Sequence, residues 1–260
     1  MSLYIVPVPI GNLKDITLRA IEVLENVDFI IAEDTRYSLK LLNHLKIKKK
    51  IVSYYKPKER EKVKKIIELL NKSSGALITD SGTPLISDPG SVLLEESIKN
   101  GIHIESLPGP TAFVPALTSS GISPEKFLFL GFSPRKTGQL ETWLHQLEEL
   151  EYTLIFYESP RRVESFLNSA FKIFGNRKFS ISKELSKKNE RTIRGGLEDW
   201  KKLLEHVKLL GEFVIIIEGN MDKNKKKTPE IESMDDIYKY FLQNYNISKN
   251  SLKKKLMRKR

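Results

Sequence analysis

Between residues 3 and 107 the chain alternates five short, largely apolar runs, the first two unbroken, with four amphipathic segments. The runs are Leu3–Val6, Phe29–Ala32, Ile51–Tyr54, Ala76–Thr79 and Ile102–Leu107. A strand that alternates apolar with polar residues has one wet face. A strand apolar at every position must be covered on both faces, and that is the condition of a parallel sheet. The intervening segments, Thr17–Leu24, Ser38–Leu45, Glu59–Leu70 and Ser91–Lys99, repeat apolar residues at helical spacing. In the third, Val63, Ile66, Ile67 and Leu70 share one face. Strands and helices in this order predict an α/β fold.

The pattern pauses near residues 118–125 and then restarts. Phe127–Leu130, Thr153–Tyr157, Phe179–Ser182, Arg191–Arg194 and Phe213–Glu218 read as strands. Gln139–Leu150, Val163–Phe174 and Leu197–Leu209 read as helices. We therefore expect one α/β domain over 1–120 and a second over 121–221. Residues 222–260 read as a Lys-rich linker with two short helices, the last very basic. That tail is too short to bury a core of its own.

Composition narrows the function classes. Lys and Arg number 44 against 33 Asp and Glu, a net charge of +11. Such a balance favours a polyanion such as RNA, DNA or an anionic membrane surface. There is no cysteine, which excludes disulfides, thiolate metal sites and Cys nucleophiles. The four histidines have no metal-ligand spacing, and no metal is expected. No apolar run has the length of a membrane span and no leader-like segment opens the chain, so the expected location is cytoplasmic.

Ligands of open parallel sheets bind beyond the carboxyl ends of the strands. Four unusual loops follow such ends: PVPIGNLKDIT after the first strand, EDTR after the second, TDSGTPLISDPG after the fourth and PGPTA after the fifth. The third of these carries Gly82, Gly90, Pro84 and Pro89 and no Lys or Arg. Its backbone can approach a ligand closely, which suits an adenine edge with an amino-acid portion better than a triphosphate. Neither the phosphate-loop nor the dinucleotide glycine motif is present. Glu33 and Asp34 close the second strand on the same rim. Asp34 reads equally as the N-cap of the following helix, with Arg36 as its ion-pair partner. Asp15 reads as a cap of the helix at Thr17. Asp80 and Asp88 read either as ligand-holding groups or as braces of their loop.

PIGNLKDITLRA, AEDTR, TDSGTPLISDPG, LPGPTAF and GEFVIIIEG, in this order, closely resemble the small-subunit ribosomal RNA (cytidine-2′-O)-methyltransferase branch of the tetrapyrrole methylase superfamily. The resemblance runs from about Leu3 to about Gly219. Departures are local: Ser81 replaces the usual Ala, Arg161 the usual His, and the end is a lysine-rich tail. The resemblance implies two α/β domains, an N-terminal parallel sheet and a C-terminal mixed sheet, with S-adenosyl-L-methionine in the cleft between them. It implies a cytoplasmic homodimer acting on small-subunit rRNA or the 30S subunit. The acceptor it implies is a cytidine ribose 2′-hydroxyl in the decoding region of 16S rRNA.

Carried over position by position, it implies cofactor contacts at Pro9, Ile10, Gly82, Thr83, Ile86, Thr111, Ala112 and Tyr157. Methyl transfer to a hydroxyl needs alignment and a proton acceptor, for which Glu33, Asp34 and Lys183 are the candidates. Arg19, Arg36, Arg135, Arg161 and Arg162 are candidates for phosphate contact, and Phe132 or Tyr157 for stacking on a base. Two rival readings are a porphyrinoid methyltransferase and a non-catalytic RNA-binding assembly factor. The basic charge and the EDTR loop weigh against the first, the intact glycine and PGPTA loops against the second.

Overall fold

The structure, a computed structural model, describes residues 1–54 and 59–221. Met1–Asn220 form a unit built on two five-stranded sheets. The first contains β1 (Ser2–Ile5), β2 (Phe29–Ala32), β3 (Lys50–Ser53), β4 (Gly75–Ile78) and β5 (His103–Ser106). Their order is β3-β2-β4-β1-β5, every pair parallel. All four residues of β2 and of β4 are buried, as unbroken apolar runs require.

Helices α1 (Leu18–Asn26) and α2 (Thr35–His44) cover one face, where Leu24, Leu41 and Leu42 pack on Ile30, Ala76 and Ile78. Helices α3 (Glu59–Leu70) and α4 (Ser91–Lys99) cover the other, where Ile66, Leu70 and Leu93 meet Leu3, Phe29 and Ile31. Successive strand residues thus serve opposite cores.

Helix α5 (Phe113–Ser119) leads into the second sheet. No helix was expected in PTAFVPALTSS, which carries Pro115 at the third helical position. In the first turn a proline loses no intrahelical bond, so the helix tolerates it. The second sheet contains β6 (Phe127–Phe132), β7 (Thr153–Glu158), β8 (Lys178–Lys183), β9 (Arg191–Gly196) and β10 (Phe213–Ile217). Its order is β6-β7-β10-β8-β9, with β6 and β7 parallel and the remaining pairs antiparallel. It is the mixed sheet that was anticipated.

Helices α6 (Thr137–Leu147), α7 (Val163–Phe174) and α8 (Trp200–Leu204) bury one face, with Leu144, Phe166 and Trp200 against Phe156 and Ile215. The other face sets Ile155, Val214 and Ile216 against Ala116 and Leu117 of α5, with Ile10 at the edge. This last cluster joins the two sheets.

One helix is shorter than expected. Leu197–Leu209 resolves into a 3-10 turn at Leu197–Asp199 and the five residues of α8. Val207 and Leu209 still pack on the core, so their apolar spacing reports burial rather than helicity. No helix among the described residues is long and apolar enough to cross a membrane. The expected linker and basic tail lie outside the described residues.

Candidate active site

The loop after β4 has an unusual backbone. Gly82 and Gly90 have φ of +85° and +139°, and two residues with side chains, Leu85 and Ser87, have +76° and +68°. Left-handed non-glycine residues cost on the order of 1–3 kcal/mol each and persist only where the surroundings hold them. Here the neighbouring loops do. Gly82 forms a two-bond antiparallel bridge with Val8 of the first loop. The Asp34 N–H of the second loop donates to Asp80 Oδ1 at 3.2 Å. Thr83 Oγ1 donates to the Pro110 carbonyl of the fifth-strand loop at 2.8 Å. Within the loop, Thr79 Oγ1 donates to Asp88 Oδ2 at 2.6 Å. The Tyr157 phenol, from β7, reaches the Thr111 side chain and the backbone at Phe113 and Ala112, tying the rim to the second sheet.

These loops and the facing sheet enclose a cavity of about 450 Å³. Its floor is Thr79–Thr83 and Ile86–Asp88, with Ile10, Glu33, Thr111 and Ala112 beside it. The opposite wall is Phe132, Tyr157–Pro160, Leu185 and Gly211–Val214. Five carboxylates line it, Glu33, Asp80, Asp88, Glu158 and Glu212, and no Lys or Arg does so among the described residues.

Glu158 is matched from outside the lining by Arg162 at 3.3 Å, and Glu212 by Lys187 at 3.1 Å. Desolvation pushes the Asp88 carboxyl up, against the Thr79 hydroxyl bond, and the charges of Asp80 and Glu212 add to the rise. Asp80 is raised by desolvation first and by the Asp34 charge, against the Asp34 N–H and Arg36. Asp34 is the reverse case: its hydrogen bonds from the Arg36 side chain and backbone hold it at about 2. Burial also pushes the Tyr157 phenol up.

Of the residues singled out from the sequence, Ile10, Glu33, Gly82, Thr83, Ile86, Thr111, Ala112 and Tyr157 line the cavity. Pro9 lies between the bridged Val8 and the lining Ile10. Asp34 is outside the lining; it caps α2, accepting from Arg36 N at 2.8 Å, and binds the Arg36 guanidinium. Lys183 is also outside, its ammonium donating to the Lys208 carbonyl at 2.9 Å. Arg19 pairs with Glu105. Arg135 and Arg161 are exposed. Arg162 is engaged with Ser133, Pro134 and Glu158. Phe132 is 59% exposed at the cavity, its ring 5.6 Å from that of Tyr157.

Asp15 does not cap α1. Thr17 does, accepting from Ala20 N at 3.0 Å, while Asp15 accepts from the Ser186 hydroxyl.

The wall residues Glu158–Pro160, Leu185 and Gly211–Val214 were not foreseen as lining. Phe213 pairs with Glu158 because β10 runs antiparallel to β7, so the start of one strand meets the end of the other. The glycine before the FVIII run was the available signal, but strand direction was not readable from it.

The sequence profile of the tetrapyrrole (corrin/porphyrin) methylases matches residues 2–201. The chain belongs to this family. Among relatives, the ribosomal RNA small subunit methyltransferase I of Halalkalibacterium halodurans is 42% identical over 237 residues, 91% of this chain and 82% of that one. The protein of the same name from a Hydrogenobaculum species is 44% identical over 220 residues, 84% of this chain and 95% of that one. Solved structures of the methylase fold are more distant in sequence. Diphthine synthase superposes with a TM-score of 0.65 at 14% identity, covering 84% of this chain and 90% of its own. Uroporphyrin-III-C-methyltransferase from Thermus thermophilus gives 0.59 at 18%, covering 84% and 94%. These two speak for the fold alone.

Proposed function

We propose that this methylase transfers a methyl group from S-adenosyl-L-methionine to small-subunit rRNA, at the ribose 2′-hydroxyl of a cytidine. The observation that carries the reading is the charge of the cavity: five carboxylates in its lining and no Lys or Arg among the described residues. Opposite charge in a partly desolvated site favours a cation, and a nucleoside triphosphate would be repelled. The volume, about 450 Å³, is within the usual range for a small-molecule site. S-adenosyl-L-methionine fits on both counts, and when bound it supplies an electrophilic methyl group on a cationic sulfur.

Ile10 and Ile86 offer apolar contact to it, Gly82, Thr83 and Ala112 offer backbone groups, and Thr111 with Tyr157 closes the second-sheet side. In this reading a carboxylate of the lining, Glu33 or Asp80, takes the hydroxyl proton; both belong to the cavity lining, which supports the assignment. Asp34, charged at any ordinary pH, orients Arg36 instead. Outside the acidic interior, Arg36, Arg135 and Arg161 supply cations for phosphate, and the exposed Phe132 a face for a base. The net charge of +11 agrees with a polyanionic substrate. The relatives named for small-subunit rRNA span most of this chain, which supports the choice of RNA. The same proposal takes the protein as a cytoplasmic homodimer working on rRNA or on the 30S subunit.

The test uses purified protein, tritiated S-adenosyl-L-methionine and small ribosomal subunits from cells lacking the enzyme. Label recovered on a cytidine ribose after complete digestion is the expected result. Label on a base would overturn the 2′-hydroxyl assignment. Cofactor binding by calorimetry with no transfer to any rRNA would overturn the RNA reading and direct the search to porphyrinoids.

A further inference from the structure

Arg162 carries a charge but is not placed to offer it to a ligand. Its side chain is only 23% exposed. Nη1 donates to the Ser133 carbonyl at 3.1 Å and Nη2 to the Pro134 carbonyl at 2.6 Å. Nη2 also donates to Ser133 Oγ and faces Glu158 Oε1 at 3.3 Å. The Ser133 hydroxyl donates in turn to Glu158 Oε1, so it is satisfied as donor and acceptor. The other oxygen of Glu158 accepts the Ser159 N–H at 3.1 Å. Glu158, with 1% of its side chain exposed, is part of the cavity wall. The guanidinium therefore fastens the end of β6 to the wall of the cavity.

Arg135 and Lys136 come directly after Ser133–Pro134, both exposed and neither ion-paired among the described residues. Phe132, three residues before Arg135, lines the cavity. An untethered loop must be ordered each time it binds, and that ordering subtracts from affinity. We propose that Arg162 is a positioning residue: without meeting RNA itself, it holds Ser133–Pro134 against Glu158, presenting Arg135 and Lys136 to the phosphates of single-stranded RNA. This rests on the RNA reading above, and it takes Arg162 out of the phosphate contacts expected from the sequence. A planar fork is needed for two carbonyls and a carboxylate together, and lysine has none.

The experiment measures binding of a fluorescein-labelled single-stranded RNA by anisotropy across a salt series. The proteins are wild type, R162M, R162K, S133A, the pair R135Q/K136Q, and R162M built on that pair. Calorimetry with S-adenosyl-L-methionine counts folded sites in each. R162M should weaken RNA binding about tenfold, and R162K about as much although it keeps the charge. S133A, which removes no charge, should weaken it about threefold. On the R135Q/K136Q background R162M should add less than about twofold, because the groups it positions are gone. The proposal is overturned if R162M is additive on that background with a further fall of about 1 in the salt slope, since Arg162 would then touch phosphate. Retention of near-wild-type affinity by R162K or S133A overturns it as well. If wild type itself does not bind RNA, the function proposal fails first, and that failure is seen before any variant is compared.

Discussion

Val8 and Gly82 exchange both backbone hydrogen bonds, Val8 N to Gly82 O at 2.9 Å and Gly82 N to Val8 O at 3.1 Å. This bridge locks the loop after β1 to the loop after β4, and it places Gly82 with φ of +85° on the cavity floor. A Cβ at Gly82 would meet Ile10 Cγ2 at 3.4 Å, an ordinary contact, so space is not the constraint. Conformation is. Gly82→Ala should cost about 1–2 kcal/mol through the left-handed backbone alone. The expected outcome is a melting temperature lower by about 2–6 °C, together with weaker S-adenosyl-L-methionine binding by calorimetry.

Gly109 presents the opposite case. Its backbone is not in the left-handed region, but a Cβ there would lie 2.5 Å from Pro7 Cβ and 2.9 Å from Pro7 Cγ. The proline ring cannot swing aside. Gly109→Ala should therefore destabilise by about 1–3 kcal/mol through overpacking, read by urea unfolding. On a Pro7→Gly background, which removes both carbons that the new methyl would meet, Gly109→Ala should cost less, whereas that background should not rescue Gly82→Ala.

Tyr157 links β7 to the Thr111–Phe113 segment through its hydroxyl, while its ring packs 5.0 Å from Phe129. Tyr157→Phe keeps the ring and removes the link. We expect a loss of about 1 kcal/mol, equivalent to about fivefold in cofactor affinity, with little change in the far-ultraviolet circular dichroism.

Asp80 and Asp88 have carboxyls raised by desolvation. A raised acid holds its proton more tightly folded than unfolded, so these two lower stability as pH rises from the ordinary carboxylate value through their folded values. Asp34 works the other way: lowered from 3.8 to about 2, it contributes stability that is complete above the ordinary value and lost as pH falls towards about 2. A cation in the cavity favours the ionised form of Asp80 and Asp88. Calorimetry from about pH 4 to about pH 8 should show S-adenosyl-L-methionine affinity rising through their titration and then levelling. Asp80→Asn with Asp88→Asn should flatten that rise; an unchanged pH profile in the double variant would assign it elsewhere.

Much of the first half was legible before any coordinates. β2 and β4 read as strands buried on both faces because every residue is apolar. The rim loops read as a site because Gly82, Gly90 and their prolines interrupt the pattern at strand ends, where open sheets bind ligands. Asp34 read equally as a helix cap and as a proton acceptor; it caps α2 and lies outside the cavity lining. α5 was not foreseen, and the truncation of the last helix was not legible, since the apolar spacing of Val207 and Leu209 is compatible with a helix or with a packed loop.

Sequence alone determined which segments are strands, which loops are rich in glycine and proline, and the excess of positive charge, because these follow from local propensity, patterning and counting. Only the tertiary structure decided that β4 inserts between β1 and β2, that β10 runs against β7 and brings Phe213 to Glu158, and that Arg162 is bound to Ser133 and Glu158 while Arg135 is exposed. Strand pairing and side-chain engagement are set by partners tens of residues away. No window of sequence around Arg162 distinguishes an engaged guanidinium from a free one; its neighbours in space do.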